Sequence, residues 1–268
     1  MAAGGLSALE PIDWTAPWLV DWAPLGQVLA SSGASCVAQA LNHAPLHQTG
    51  PLAVEFVPQQ NLPGGQAYEA FIRGQGKVPT RDNVHDFFNG LAWLHAPRIK
   101  AKLNRLQADE IAQAGVNATR GPVRDAVTVL DENGAFLCAP DPVWAALRAM
   151  DWQSLFVTLR PMWRECRLWL FGHALLEKLV NPRKPIVAHV CDMPLPTSCL
   201  QTAGWGAVDP LIENLLDATF LSSKPFCPLP VLGIPGWSPD NERADFYADP
   251  QVFRSPGQRR SSASIKAF

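Results

Sequence analysis

The run KVPTRDNVHDFFNGLAWLHAPRIKAKLNRLQ, Lys77 to Gln107, constrains the fold more than any other part of the chain, because it encodes two helices and the joint between them. Val84, Phe87, Phe88, Leu91 and Leu94 recur at helical spacing, so one heavily aromatic face of the first helix has to be covered by other parts of the protein. Pro97 cannot continue that helix, since it has no N–H to donate and its ring clashes with the preceding turn. It can occupy the first turn of the next one. The sequence therefore predicts a helix N-capped by Thr80 or Asp82 and ending near His95, then a second from about Arg98 to Ala114, closed at Gly115.

The polar residues of the first helix are as ordered as the apolar ones. At about 100° per residue, Asp82, His85, Asp86 and Asn89 fall in one stripe, which Trp93 continues. An ordinary amphipathic helix would leave this stripe in water. The sharper reading is that it lines a pocket, where an imidazole beside a carboxylate acts as a general base or the two hold a divalent metal. A second polar pair occurs in FGHALLEK, where His173 and Glu177 are four apart and share a face of a predicted helix running from Pro161 to about Val180. Its bland reading is a core histidine satisfied by its neighbour. On the second helix Lys100, Asn104 and Gln107 share a face. With Arg81 and Arg98 they could hold a phosphate or carboxylate, or form no more than a solvated basic surface.

Elsewhere the strongest local signal is RDAVTVLDENGAFLCA: Val127 to Leu130 favour a strand, Asn133-Gly134 a tight turn, and Ala135 to Cys138 a return strand. This predicts a β-hairpin near 124–138. Arg124-Asp125 and Asp131-Glu132 flank it as strand-end and turn residues. Short helices are expected around PLGQVLASSGASCVAQALNHA, a strand in LAVEFVPQQ, a helix in AYEAFIRGQ followed by a Gly-rich loop, helices from Asp141-Pro142 to about Met150 and in DPLIENLLDATF, a strand in PIVAHVCD, and an extended Pro-rich PLPVLGIPGWSPDN. The economical architecture is α+β: a mainly helical single domain over 1–254 with a small antiparallel sheet. Residues 1–50 form a variable N-terminal part, and 255–268 a disordered tail.

Composition removes several function classes. A net charge of −2 gives no general attraction to nucleic acid or an anionic membrane. Charge is uneven along the chain, with no Lys or Arg before Arg73 and seven between Arg73 and Arg105. The N-terminus lacks the basic, then apolar, order of a secretory signal, and LWLFGHALLEKLV is shorter than the ~20 residues that span a bilayer. The six cysteines form neither a C-x-x-C pair nor a dense framework. A cytoplasmic protein with reduced thiols is the expectation. P-loop, G-x-G-x-x-G, G-x-S-x-G and H-E-x-x-H motifs are all missing.

Two resemblances bear on function. The His85-Asp86 doublet is similar to that of the HD phosphohydrolases, whose metal ligands are a His, an HD pair and a later Asp. His43 or His47 upstream and Asp125 or Asp131 downstream would complete that set, although a hairpin between them sits poorly in an all-helical fold. More extensively, VPTRDNVHDFFNGLAWLHAPRIKAKLN, RDAVTVLDENGA, FGHALLEKL, LPVLGIPGW and FYADPQVFR, in that order from about Phe56 to Arg254, resemble the proteobacterial family known as domain of unknown function 3025. Members often carry Trp where this chain has Val84. The resemblance implies a cytoplasmic bacterial protein without an assigned activity. It joins Arg81, Asp82, His85, Asp86, Asn89, Lys100 and Asn104 with Asp131, Glu132, His173 and Glu177 as motif-bearing positions.

The sequence thus points to a hydrolase in which His85, Asp86, His173 and Glu177 are catalytic, with Arg81, Asn89, Lys100 and Asn104 binding substrate. His85, Asp86 and His173 would either hold a divalent metal or act as general acid and base. The partner would be a small molecule or a protein, not nucleic acid or membrane. The alternative is a non-catalytic binding or assembly module that docks a partner through the Trp-rich N-terminus and the Pro-rich C-terminal segment.

Overall fold

The acidic N-terminal quarter is built into the body of the protein. The structure, a computed structural model, describes residues 6–44, 53–114, 121–193, 195 and 202–254. Helices α1 (Ala23–Ala30) and α2 (Val37–Asn42) bring Leu29, Val37 and Leu41 into the core. The tryptophans around them are spent on internal packing: Trp22 is 1% exposed, Trp14 packs against Phe87 and Phe88, and Trp18 against Trp237. Trp14 and Trp18 remain half-buried, and Val20 and Val28 are exposed beside them.

Strand β1 (Glu55–Pro58), helix α3 (Tyr68–Gln75) and strand β2 (Lys77–Thr80) form a small parallel unit, Glu55 pairing with Lys77 and Pro58 with Thr80. The expected Gly-rich loop is therefore shorter than its sequence suggests. Gly76 closes α3 with φ +63, a left-handed conformation open to glycine, and the chain enters β2 at once. Helices α4 (Val84–His95) and α5 (Pro97–Ala114) follow with their joint at Pro97, as the sequence predicts. The cap lies elsewhere. Asn83 is the N-cap, its Oδ1 accepting from Asp86 N at 2.7 Å, while Asp82 accepts from Val37 N at the start of α2. Gly115 lies outside the described residues.

The predicted hairpin is overturned. Helix α6 (Pro122–Asn133) occupies its first half, and only the second half is a strand, β3 (Gly134–Cys138). Two periodicities compete here, and the helical one prevails because Val123, Ala126, Val127 and Leu130 are the buried set. Gly134 makes no turn: its φ is −74, and a Cβ there would lie 2.3 Å from Leu130 O. Helix α7 (Asp141–Ala149) matches expectation, whereas the long helix expected from Pro161 does not form. In its place stand a 3-10 segment (Arg160–Glu165), strand β4 (Arg167–Leu170) and the short α8 (His173–Lys178). Strand β5 (Val187–Cys191), helices α9 (Trp205–Leu215) and α10 (Ala218–Ser222), and strand β6 (Phe226–Pro230) follow.

The larger sheet has the order β4-β3-β5-β6 and is mixed: β3 pairs antiparallel with β4 and parallel with β5. The small antiparallel sheet expected is present with one parallel pairing, β3 with β5, within an α+β single-domain fold. Every residue of β3 is buried. Helix α4 runs through the middle of the molecule, with Phe87, Phe88, Leu91 and Ala92 fully covered. Each buried Phe or Leu stabilises by about 2 kcal/mol. Asp209 of α9, 3% exposed, accepts from Arg98 N and Ile99 N and so caps α5 immediately after Pro97. Cys36, Cys138, Cys166, Cys191 and Cys227 are free thiols, and among the described residues no helix is long and apolar enough to cross a membrane. Residues 255–268, expected as a tail, lie outside the described part, as do His47 and Cys199.

Candidate functional site

Helix α4 is buried on most sides, and the inner part of its polar stripe is covered, while Asp82 ahead of the helix is exposed and His85 half-buried. Asp86 is 6% and Asn89 8% exposed. Together with α3, α5, α6 and α8, the stripe encloses a cavity of about 350 Å³.

Adjacent residues of the His85-Asp86 doublet are turned about 100° apart on the helix, and their side chains diverge. Asp86 holds the corner between β2 and α4: Oδ2 accepts from Arg81 N (2.6 Å) and Nε (3.1 Å), and Oδ1 from Arg81 Nη2 (2.8 Å). His85 points toward α8, its Nδ1 lying 2.8 Å from Glu177 Oε2. A carboxylate only accepts, so Nδ1 is the donor, and in the neutral tautomer of that ring Nε2 is the nitrogen that offers a lone pair. Glu177 thus serves His85 rather than its helical neighbour His173.

His173 is placed by a close approach. Phe171 N and Gly172 N both donate to Gly134 O, at 3.0 and 2.9 Å. A Cβ on Gly172 would fall 2.5 Å from Asn133 N and from Glu132 O, so only glycine lets the start of α8 lie against the end of α6. The His173 ring meets the His85 ring edge-on with centroids 4.4 Å apart. Its Nε2 is 3.7 Å from Glu132 Oε2, and its Nδ1, buried and without a hydrogen bond, is 3.9 Å from Asp131 Oδ2. His85, Glu132 and His173 each offer one ligand atom, all within 4.8 Å of one another.

Beside this group lies a polar ladder. Lys100, 4% exposed, donates to Asn89 Oδ1 (2.8 Å) and Asp131 Oδ1 (2.6 Å), with its ammonium 5.6 Å from the centre of the Trp93 ring. Asn89 Nδ2 donates to the Tyr68 hydroxyl at 3.1 Å, and Asn104 Nδ2 to Glu69 O at 3.0 Å. Burial pushes the His173 pKa down to about 4, so the imidazole is neutral near pH 7. Burial is the largest influence on Asp131 and raises it, but Lys100, His173 and His85 together outweigh it and the carboxyl lies below its usual range. Glu132 is raised, first by burial and then by its neighbour Asp131. Burial also raises Tyr68, which keeps its phenolic proton.

Of the residues singled out from sequence, Arg81, His85, Asp86, Asn89, Lys100, Asn104 and His173 line this one cavity, and Glu177 reaches it through His85. Asp86, expected among the metal ligands, is outside the converging group because Arg81 engages both its oxygens. Glu132 stands in its place. Asp131 and Glu132 were expected at a turn; on α6 they face the cavity, and the spacing of Thr128, Asp131 and Glu132 was the signal a helical reading would have carried. Tyr68 had no signal in the sequence. Arg98 is exposed, with its N–H held by Asp209, and Asp125 pairs with Lys224 at 2.9 Å. His43 is exposed at the end of α2, so among the described residues the ligand set of an HD phosphohydrolase is not assembled.

A family model described as "Protein of unknown function (DUF3025)" matches residues 54–257, which include every residue lining the cavity. No curated protein and no solved structure matches the chain.

Proposed function

The chain belongs to the DUF3025 family of proteins of unknown function, and we propose from its own cavity that it is a hydrolase whose His85, Glu132 and His173 hold a divalent metal. One observation carries this reading: two imidazoles and a carboxylate converge, and each imidazole has a second carboxylate at its outer nitrogen. Glu177 lies 2.8 Å from His85 Nδ1, and Asp131 lies 3.9 Å from His173 Nδ1. Metal-bound histidines commonly hold such a partner, which fixes the tautomer and strengthens the ligand.

The donor set fits a zinc-like ion. Two nitrogens and one carboxylate oxygen are ligands that zinc accepts, and a three-residue set leaves a position for water. Ligands about 2.1 Å from a tetrahedral metal lie roughly 3.4 Å apart. The 3.7 Å between His173 Nε2 and Glu132 Oε2 is close to that, and all three ligand atoms lie within 4.8 Å of one another. When bound, the metal would lower the pKa of its water and supply a nucleophile near neutral pH. The chain's own residues present the ligands, orient His85 through Glu177, and keep His173 neutral.

The test is metal content. Zinc or cobalt should titrate into the purified protein at one per chain, and His85→Ala and His173→Ala should each abolish that binding. A protein that takes up no stoichiometric metal after reconstitution would sink the proposal. The acid–base reading, in which His85 ordered by Glu177 is the base, would then take its place.

A further inference from the structure

Resting on the metal reading above, we propose that the substrate of this cavity is a small uncharged acyl compound, an amide or ester, whose oxygen is received by Lys100 and Tyr68, and that phosphate esters are excluded. The argument begins with charge. Six formally charged residues line the cavity: Glu69, Arg81, Asp86, Lys100, Asp131 and Glu132. Each cation already has its own carboxylate, Arg81 with Asp86 at 2.8 Å and Lys100 with Asp131 at 2.6 Å. Glu69 and Glu132 remain as a surplus of two negative charges, which a divalent ion cancels. With the ion bound the lining carries no net positive charge, so a phosphate ester would bring one or two uncompensated negative charges into it. An uncharged acyl group meets no such penalty.

Hydrogen-bond supply agrees. An ammonium has three N–H donors. Lys100 gives two of them, to Asn89 and Asp131, and its third has no acceptor among the described residues. The Tyr68 hydroxyl accepts from Asn89, and its own proton likewise has no acceptor there. Both side chains line the cavity, so two donors are reserved for an acceptor atom that the protein does not supply. Ile72, Leu103 and Val127 complete the wall and suit a hydrocarbon portion. A volume of about 350 Å³ is near the lower end for small-molecule sites.

The experiment uses cobalt-loaded full-length protein, with acetamide as the uncharged acyl probe and inorganic phosphate as the competitor, both followed through the visible cobalt spectrum. Acetamide should bind at least about tenfold more tightly than phosphate. Tyr68→Phe should weaken acetamide about fivefold, the loss of one hydrogen bond, at unchanged cobalt affinity. Lys100→Met should act in the same direction if it folds, and Tyr68→Phe keeps the test open if it does not. Glu69→Gln should raise phosphate affinity about threefold by removing one repulsive charge. A smaller preference for acetamide, a preference for phosphate, or a Tyr68→Phe variant that binds acetamide like wild type overturns the inference while leaving the metal site intact. Failure to bind cobalt at all, visible before any probe is added, overturns the metal reading and this inference with it.

Discussion

His95, half-buried, and His173, buried, are two imidazoles with a similar physical state and different surroundings. Each has a ring nitrogen out of contact with water and without a hydrogen bond, Nε2 in His95 and Nδ1 in His173, and burial pushes both pKa values down to about 4. His95 ends α4 edge-on against Trp22, 5.1 Å between ring centres, with Trp205 packed on the far side of that tryptophan. His173 has carboxylates at 3.7 and 3.9 Å and a second imidazole against its face. Burial and an orphan nitrogen therefore do not make a site. The neighbours do: an aromatic box leaves an imidazole with nothing to do chemically, whereas carboxylates and a facing imidazole give it partners for a cation.

The largest expected effect separates the two directly. His173→Ala should weaken zinc binding at least about 100-fold, as loss of a ligand does, while His95→Ala leaves it unchanged. Equal effects of the two, read by competition with a chromophoric chelator, would erase the distinction. Next is the pair that supports the cavity side. Lys100→Met strands the Asp131 carboxylate and should cost about 3 kcal/mol in denaturant unfolding, and adding Asp131→Asn should recover most of it. A double variant as unstable as the single one would show that Lys100 acts through packing alone.

Acidification tests the feature the two histidines share. An unfolded histidine protonates near 6.5, whereas each of these waits until about 4, so the unfolded chain takes up the proton first as pH falls. Their contribution is full above pH 6.5 and is lost progressively down to about 4, on the order of 2–3 kcal/mol for each. His95→Phe should flatten this dependence whether or not zinc is present. In the metal-free protein His173→Leu should flatten it too, and saturating zinc should protect against acid only while His173 is present. Thermal melts from pH 7 to 4 check both. The smallest effect concerns the outer carboxylate: Glu177→Gln should weaken zinc about tenfold through loss of His85 orientation, with little change in stability because Glu177 is 45% exposed.

Much of α4 and α5 was legible beforehand because helical geometry is local. About 100° per residue puts His85, Asp86 and Asn89 on one stripe wherever the helix lies, and Pro97 ends it whatever packs nearby. The stripe's fate was another matter. A polar face reads the same in water as against a cavity, and only the packing of α3, α5, α6 and α8 around it made it a wall. The β-branched run Val127-Thr128-Val129 misled in the other direction: local propensity favours a strand, and burial of Val123, Ala126, Val127 and Leu130 on a helical face overrode it. That error hid Glu132 by assigning it to a turn.

By itself, then, the sequence determined the α+β class, the jointed helix pair and the residue types available for chemistry, since these follow from spacing along one chain. Tertiary structure decided which of them meet. Gly134 lies against Leu130, and Gly172 against the last turn of α6, at distances a Cβ would forbid. Through that approach His173 reaches Glu132 and His85, and Glu177 turns to His85 instead of its own helical neighbour. Contacts between residues tens of positions apart depend on how the elements pack, which periodicity within one element does not encode.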